Sequence, residues 1–292
     1  MNVGVIGLGR MGQPIAKNIL SAGHRLHVHD IRPTAGEELV SLGATWCRDP
    51  AEVASVSECI ISSLPGPQEV EIVMRGARGV LQAIAPGAVV VETSTINPIL
   101  SRALAPQFSE RGAYYLDAPV SGGSEGAVGG ALTIMVGGDP AALERARPVI
   151  ESFCKQIFHL GPTGAGNTMK LVIQAIYLSQ MAAFLEGLSL GEEAGIPTRL
   201  LLEIIAGSSA HHPTIGKRYE MLIANDLRPR FEVDGAIKDL TLAEEMCAGT
   251  SMKAEIMRAA LAAYRRAAEF GLSKKDLIAL RNMLRQNTRN AE

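Results

Sequence analysis

The sequence predicts an α/β domain followed by an all-α C-terminal domain, with a long interdomain helix. From residue 1 to about 160, short β-branched segments alternate with helical stretches, which is typical of a parallel sheet with helices on both faces. After a glycine-rich loop at 161–166, the chain continues as helix after helix with few strand signals. The first of these helices covers 167–194 and is apolar on most sides, so we expect it to be buried between domains or subunits. These observations predict domains at 1–161 and 162–292.

The composition is that of an ordinary globular protein. Hydrophobic residues make up 47% of the 292 residues, charged residues make up 20%, and the formal net charge is -2. That charge gives no electrostatic reason to expect nucleic acid or an anionic membrane as a partner. We therefore predict no nucleic acid and no membrane as a partner.

Cysteine usage and the start of the chain favour a reducing, cytoplasmic location. The four cysteines lie far apart without a CxxC pair, which argues against a zinc site and a disulfide framework, so no metal is predicted. A strand begins almost at Met1, which leaves no room for a secretory signal. The most apolar long segment, 171–185, contains three polar residues and is shorter than the roughly 20 residues of a membrane span, so we interpret it as a buried helix.

The strands of the α/β domain indicate where a ligand would bind. They are predicted at VGVIGL, RLHVHD, CIISSL, AVVVET, YYLDAP, LTIMVGG and QIFHLG. In sheets of this kind, ligands bind beyond the carboxyl ends of the strands. The residues that directly follow the strands are therefore the first candidates for a site: 7–12, Asp30, 62–67, 93–95 and 117–123.

The first strand runs into the glycine-rich segment GLGRMG, which a helical pattern follows. In this setting Gly7 permits a tight turn, Gly9 lets the backbone approach a pyrophosphate, and Gly12 lets the helix pack closely on the strand. The N-terminus of the helix offers N–H groups and a partial positive charge to phosphates. This combination predicts a dinucleotide-binding Rossmann domain, and the alternative is a glycine-rich turn without function.

The end of the second strand indicates which dinucleotide is bound. Asp30 follows Gly12 by about 18 residues, where its carboxylate can accept hydrogen bonds from the ribose hydroxyls of an adenosine. A carboxylate at this point favours NAD, because the 2′-phosphate of NADP would meet a like charge. Arg32 could bind that phosphate, so NADP stays open as a second cofactor.

Two further segments carry candidate chemistry. In GPTGAGNTMKLVIQ, Lys170 lies about one turn into the long helix, and Gln174 follows four residues later on the same face. Lys170 is a candidate general acid/base, and the alternative is a lysine on a hydrated helix face. In DAPVSGG, Ser121, Gly122 and Gly123 offer a hydroxyl group and successive backbone N–H groups suited to a carboxylate, unless they form only a connecting loop.

Four motifs together resemble one family, the β-hydroxyacid dehydrogenases. This family contains 3-hydroxyisobutyrate dehydrogenase, tartronate semialdehyde (2-hydroxy-3-oxopropionate) reductase and, more distantly, 6-phosphogluconate dehydrogenase. The motifs are GLGRMGQPIAKNI, DAPVSGG, GPTGAGNTMK and KDLTLA, in that order, and the resemblance covers essentially the whole chain.

The resemblance implies roles for individual residues. Lys170 matches the catalytic lysine, and Ser121, Gly122 and Gly123 match the loop that holds the substrate carboxylate. Gln174 is implied to bind substrate, at a position where family members usually have Asn. The cofactor-binding residues that the resemblance implies are Gly7, Leu8, Gly9, Arg10, Met11, Gly12, Asp30, Ile31, Arg32, Leu64, Pro65, Thr95 and Lys238.

The implied activity is hydride transfer between NAD(H) and a small 3-hydroxy acid or its semialdehyde, of the 3-hydroxyisobutyrate or 2-hydroxy-3-oxopropionate type. Lys170 would pass the proton to or from the oxygen. Because Gln174 is one methylene longer than Asn but has the same polar groups, we expect an altered substrate preference. Two alternatives stay open: an imine reductase on the same fold, where the lysine tends to be replaced by Asp or Tyr, and an NAD-binding module without turnover. The long apolar helix predicts a homodimer or homotetramer.

Overall fold

The structure, a computed structural model, describes residues 1–248 and 250–286. It divides into two compact units, unit 1 (Met1–Lys170) and unit 2, which begins at Leu171. The last residues of the predicted second domain, 287–292, lie outside the described residues. The domain limits 1–161 and 162–292 stay a prediction.

Unit 1 is built on a six-stranded parallel sheet. The strands are β1 (Asn2–Ile6), β2 (Arg25–His29), β3 (Thr45–Trp46), β4 (Cys59–Ser62), β5 (Val89–Glu92) and β6 (Tyr114–Asp117). They lie in the order β3-β2-β1-β4-β5-β6, and all neighbours are parallel. This is the strand order of doubly wound dinucleotide-binding domains, in which the crevice opens where the order reverses, between β1 and β4. The predicted fold class is therefore confirmed.

The later strands of unit 1 form a separate, mixed sheet. The sheet contains β7 (Val120–Ser121), β8 (Leu132–Val136) and β9 (Cys154–His159), with β7 antiparallel and β9 parallel to β8. The sequence pattern predicts β8 and β9 as strands of one parallel sheet, which is wrong, because both lie in the mixed sheet. It also missed β3 and β7, because two-residue strands are too short to show an alternating pattern.

The helices of unit 1 cover both faces of the six-stranded sheet. They are α1 (Gly12–Ser21), α2 (Glu37–Ser41), α3 (Pro50–Val56), α4 (Pro67–Arg75), α5 (Pro98–Ser109), α6 (Gly123–Val128) and α7 (Pro140–Ile150). Successive strand residues enter opposite cores: Ile61 packs in the core that contains Ile15 of α1, whereas Ile60 packs in the core that contains Phe108 of α5. Several helices begin at an Asx residue followed by proline. In α7, for example, Asp139 accepts the N–H of Ala141.

Unit 2 consists of helices around one core. Helix α8 (Ala165–Glu193) starts in unit 1 and continues through unit 2, close to the predicted 167–194. The helices that follow are α9 (Thr198–Ala206), α10 (Pro213–Gly216), α11 (Tyr219–Ala224), α12 (Val233–Cys247), α13 (Glu255–Ala267) and α14 (Leu280–Gln286). The predicted helix stop is present, since Gly195 adopts a φ of +88° directly after α8.

Helix α8 is long and apolar enough, by length and composition alone, to cross a membrane. One side of it nevertheless forms the core of unit 2. The residues of that side that are buried in the core are Leu171, Leu178, Met181, Leu185 and Leu188. The opposite side also carries exposed apolar side chains, among them Val172, Ile176 and Leu190. The prediction that no membrane is involved stays a prediction.

An ion pair lies inside the core of unit 2. The carboxylate of Asp276, which is fully buried, accepts hydrogen bonds from Nε of Arg218 at 3.1 Å and from the backbone N–H groups of Arg230 and Phe231 at 2.9 and 3.1 Å. Arg218 in turn donates a hydrogen bond from Nη1 to the hydroxyl of Tyr177 at 2.9 Å. Asp276 therefore joins the α10–α11 region, the start of α12 and α8 within one network.

Asp276→Ala is expected to lower the free energy of unfolding by about 3–5 kcal/mol, because it leaves the buried Arg218 without its counter-ion. Urea denaturation of the full chain measures this loss. Asp226→Ala is the matched control, since it removes a carboxylate that pairs with the exposed Arg228. The two variants should differ clearly, and equal denaturation midpoints would contradict the structural role of the buried pair.

Candidate active site

The glycine-rich loop has the geometry that the sequence predicted. Gly7 adopts a φ of +90°, a region that favours glycine. A Cβ on Gly12 would lie 1.8 Å from the carbonyl oxygen of Gly7, so helix and loop are packed too closely for any side chain. A Cβ on Gly9 would meet nothing within 4 Å, which leaves the loop backbone open to an approaching group.

The N-terminus of α1 directly follows this loop. The residue that caps α1, Met11, makes no side-chain hydrogen bond to the helix, and no acidic residue lies in the first turn. An anion can therefore bind to the helix N-terminus without displacing a side-chain cap. The residues present thus fit a dinucleotide.

Asp30 lies at the end of β2 and is tied to the glycine loop. Its carboxylate accepts the backbone N–H of Leu8 at 2.8 Å and that of Arg32 at 2.9 Å. Burial alone would raise the pKa of Asp30, but these N–H groups and the guanidinium of Arg32 outweigh it and lower the pKa. Asp30 is therefore ionised at neutral pH. The neighbouring Ile31 is 91% exposed.

Polar side chains end three neighbouring strands. Ser62, Glu92 and Asp117 are the last residues of β4, β5 and β6, they are paired in register, and all three are fully buried. Glu92 accepts the backbone N–H of Ser94 at 2.8 Å, and the hydroxyl of Ser94 accepts the N–H of Leu64 at 2.7 Å. These bonds join the segment after β4 to the β5–α5 connection (93–97).

The expected cofactor residues of these two segments are accessible to a ligand. Leu64 and Thr95 are half-buried, and Pro65 is exposed. Burial raises the pKa of Glu92 to about 7, although the hydrogen bond from Ser94 opposes the shift. Glu92 was not predicted from the sequence as a functional residue. Its position at a strand end was the signal that could have found it.

The carboxylate of Asp117 holds the start of α8. Its Oδ1 accepts the N–H of Gly164 at 2.6 Å, and its Oδ2 accepts the N–H of Asn167 at 2.8 Å. Burial raises the pKa of Asp117 to about 6, against the opposing effect of these N–H groups. Lys170, half-buried, lies three residues beyond Asn167 on the same helix. Asp117 therefore fixes the helical turn that precedes Lys170.

The loop predicted to hold a carboxylate connects β7 to α6. Ser121 ends β7 and is half-buried, and Gly122 and Gly123 are exposed. The φ angles of the two glycines are +128° and +64°, a backbone shape that residues with side chains rarely adopt. The glycines thus allow a tight turn with accessible backbone directly at the strand end.

In unit 2, Asp239 brings two of the predicted residues together. Gln174, which is 7% exposed, donates a hydrogen bond from Nε2 to Oδ2 of Asp239 at 2.5 Å. The ammonium of Lys238 lies 2.9 Å from Oδ1 of the same carboxylate. Asp239 lies within the motif KDLTLA, and the sequence predicts no role for it. Its partner on α8 is 65 residues away in sequence, so no local pattern could have indicated the contact.

Comparison with known proteins bears on both parts of the chain. Residues 2–161 match the model for the NAD-binding domain of 6-phosphogluconate dehydrogenase. Residues 164–284 match the model described as NAD-binding of NADP-dependent 3-hydroxyisobutyrate dehydrogenase. The chain belongs to the β-hydroxyacid dehydrogenase family. The predicted family membership is thereby confirmed.

Individual β-hydroxyacid dehydrogenases are similar over most of their length. An NAD-dependent L-serine dehydrogenase of Pseudomonas aeruginosa is 37% identical over 94% of each chain. A 2-hydroxy-3-oxopropionate reductase of Escherichia coli is 39% identical over 83% of each chain. A solved 3-hydroxyisobutyrate dehydrogenase of Mycobacterium tuberculosis, studied with L-serine, superposes with a TM-score of 0.87 and 31% identity, covering 97% of this chain and 99% of that one.

These relationships establish an enzyme activity at a coarse level. The chain is an NAD-dependent dehydrogenase of small hydroxy acids, with NADP as a possible second cofactor, as predicted. Solved imine reductases share only the fold, at TM-scores of 0.61 to 0.64 and 20% to 22% identity. The individual site residues stay predictions.

Gly9→Ala is expected to weaken NADH binding by roughly tenfold or more, about 1.4 kcal/mol, because the added methyl group would occupy the space through which a pyrophosphate reaches the backbone. Titration of NADH fluorescence measures the dissociation constant. Gly187→Ala is the control, since a Cβ there also meets nothing within 4 Å but lies within α8. Unchanged affinity in Gly9→Ala would contradict the assignment of this loop.

Glu92→Gln is expected to gain stability over the native chain as the pH rises. The folded-state pKa of Glu92 is about 7, above its ordinary 4.5, so the stability linked to its proton is full below about pH 4.5 and is lost as the pH rises through 7. A neutral amide has no such dependence. The advantage of the variant in free energy of unfolding should grow by roughly 1–3 kcal/mol between pH 5 and pH 8.

Urea denaturation at the two pH values measures this difference. Glu110→Gln, at an exposed position after α5, serves as the control and should show no such growth. A Glu92→Gln advantage that stays constant with pH would contradict the protonated state of Glu92.

Proposed function

We propose that the chain transfers a hydride between NAD(H) and a small 3-hydroxy acid or its semialdehyde, of the 3-hydroxyisobutyrate or 2-hydroxy-3-oxopropionate type, with Lys170 as general acid/base. The observation that carries this proposal is the attachment of the first turn of α8 to the carboxyl end of β6. Through Asp117, it fixes the turn before Lys170 against the sheet edge where the glycine loop also begins.

We base the proposed substrate class on chemistry that three of the relatives share. L-serine, 3-hydroxyisobutyrate and glycerate, the product of reducing 2-hydroxy-3-oxopropionate, are all HO–CH2–CH(X)–COO⁻. Only X differs: an ammonium, a methyl or a hydroxyl group. We therefore propose that the chain binds the common carboxylate and primary alcohol.

The predicted cofactor-binding residues fall into groups that bind different parts of the dinucleotide in this scheme. The loop 7–12 and the N-terminus of α1 hold the pyrophosphate, and Asp30 holds the adenosine ribose. Leu64, Pro65 and Thr95 contact the nicotinamide side, and Lys238 contributes to cofactor binding. NAD, when bound, supplies the hydride acceptor or donor.

The remaining residues act on the substrate. The loop of Ser121, Gly122 and Gly123 binds the carboxylate by hydrogen bonds from the hydroxyl and the backbone. In the oxidation, the bond between the alcohol carbon and its hydrogen breaks with loss of hydride, while the amine of Lys170 accepts the hydroxyl proton and a C=O bond forms. In the reduction, Lys170 returns that proton to the oxygen.

Gln174 is the residue that we propose to modify substrate preference. Its amide is one methylene longer than the family's Asn, and one of its N–H groups already bonds to Asp239. The Gln174 amide, held by Asp239, accommodates a different group X from the one that the family's shorter Asn accommodates. The preference among ammonium, hydroxyl and methyl is thus proposed to depend on the Gln174–Asp239 pair.

Lysine at position 170 also separates the proposal from the imine reductases. Those enzymes tend to have Asp or Tyr at this position, and the amine of a lysine suits an alcohol or aldehyde oxygen.

We further propose a cytoplasmic homodimer or homotetramer. Its support is the exposed apolar side of α8, which includes Val172, Ile176 and Leu190.

Initial rates with NAD and NADP test the proposal. The substrates are L-serine, D-glycerate, L-threonate and both enantiomers of 3-hydroxyisobutyrate, assayed at about pH 9 for oxidation, where a lysine is more often deprotonated. Turnover of at least one compound of the class HO–CH2–CH(X)–COO⁻ is expected. Clear NADH binding without turnover of any of them would contradict the proposal.

Lys170→Ala is expected to lower kcat by roughly 10²- to 10⁴-fold, the usual contribution of a general acid/base, while the NADH dissociation constant stays the same. Lys155→Ala, at an exposed position of β9, is the matched control and should keep the native rate. If Lys170→Ala kept its rate within threefold of the native chain, another residue would have to move the proton.

A further inference from the structure

We propose that Asn167 is a positioning residue that ties the β5–α5 connection to the first turn of α8 and thereby sets the placement of Lys170. The inference rests on the proposed role of Lys170 as general acid/base. It assigns to Asn167 a task that its position in the sequence does not reveal.

Both ends of the Asn167 side chain bind another part of unit 1. The side chain is fully buried, its Oδ1 accepts the backbone N–H of Ile96 at 3.0 Å, and its Nδ2 donates to the hydroxyl of Ser101 at 3.3 Å. Ile96 belongs to the β5–α5 connection, and Ser101 lies in the first turns of α5. A polar side chain on a helix can obtain its hydrogen bonds from water, whereas the buried amide of Asn167 obtains them from two groups of unit 1.

The backbone of Asn167 is fixed independently. Its N–H donates to Asp117 at the end of β6, as does the N–H of Gly164. The start of α8 is thus held at two points: to β6 through Asp117 and to the connection after β5 through the Asn167 amide. Two attachments at different places prevent the helix end from rotating about either one.

The Ile96 bond lies between the two groups that must be aligned. Thr95, the residue proposed to contact the nicotinamide side, directly precedes Ile96. Lys170 follows Asn167 by three residues, a rise of about 4.5 Å along the helix. The hydrogen bond between Ile96 and Asn167 therefore links the backbone that positions the cofactor to the helix that positions the proton donor.

The same connection is also tied back to the segment after β4. The hydroxyl of Ser94 accepts the N–H of Leu64, and the side chain of Ile96 is fully buried in the core on the α5 face. Leu64 and Thr95 therefore lie on two loop segments that are hydrogen-bonded to each other at the proposed cofactor site. Asn167 attaches α8 to these segments.

Loss of the Asn167 amide should allow the connection and the helix to move separately. Hydride transfer needs the substrate aligned with the nicotinamide, and proton transfer needs it aligned with Lys170. A misplacement of about 1 Å can lower the rate roughly 10²-fold. The dinucleotide itself is held by the glycine loop and Asp30, so its affinity should change little.

Asn167→Ala and Ser101→Ala are the matched variants. The first removes the bond to Ile96 together with the bond to Ser101, whereas the second removes the Ser101 partner and leaves the Ile96 bond. Each is compared with the native chain for kcat, KM, the NADH dissociation constant and the primary isotope effect on oxidation of a substrate that is deuterated at its alcohol carbon, at rates counted per NADH-binding site. The substrate is one found by the initial-rate screen.

We expect Asn167→Ala to lower kcat by roughly 10- to 100-fold with NADH affinity within about threefold, and to raise the isotope effect, because hydride transfer becomes the slow step. Ser101→Ala should keep kcat within about threefold. A purely structural role would lower thermal stability without changing the isotope effect. If Asn167→Ala does not fold, Asn167→Ser replaces it, because the serine side chain is too short to reach the N–H of Ile96.

Three results would overturn the inference: a kcat for the Asn167 variant within threefold of native, a lowered kcat with an unchanged isotope effect, or an equal loss in Ser101→Ala. Lys170→Ala, assayed in parallel, separates this failure from that of the proposed function. A large loss in Lys170→Ala with a native rate in the Asn167 variant overturns the positioning role alone. A native rate in Lys170→Ala overturns both.

Discussion

The hydrogen bonds between the buried carboxylate of Asp117 and the start of α8 are the constraint on which the rest of this site depends. A carboxylate without water is costly unless N–H groups replace its hydration. Here Gly164 and Asn167 supply them, and they are also the N–H groups that the start of a helix leaves without partners. One interaction therefore satisfies both needs, and it fixes the turn that leads to Lys170 at the carboxyl end of β6.

The same principle operates along the sheet edge. Ser62, Glu92 and Asp117 end adjacent strands, and the carboxylates of Glu92 and Asp117 accept N–H groups of loop backbone. Glu92 accepts the N–H of Ser94, and the hydroxyl of Ser94 accepts the N–H of Leu64. The order of the strands thereby determines where the loops that follow them lie. Because Glu92 is fully buried and its pKa is raised to about 7, this arrangement also makes the stability of unit 1 dependent on pH.

The sequence was most informative where structure is local. Gly7, Gly12 and Asp30 could be assigned because each requirement, a turn, a close packing and a strand end, lies within a short segment. The contacts that position the site join distant parts of the chain: 50 residues separate Asp117 from Asn167, and 71 separate Ile96 from Asn167. No periodicity or motif spacing encodes such pairs. The sequence therefore placed Asp117 in the candidate segment 117–123 without indicating its contact with α8, and it indicated no role for Glu92 or Asn167. The family resemblance supplied Lys170, which spacing alone left open.

The measurement that tests the account most directly is a crystal structure of the full chain with NAD and L-serine or another substrate that it turns over. The account predicts Nζ of Lys170 within about 2.6–3.2 Å of the substrate hydroxyl oxygen and the substrate carboxylate at Ser121, Gly122 and Gly123. A substrate hydroxyl bonded to a different side chain, with Lys170 beyond hydrogen-bond distance and no water between them, would contradict it.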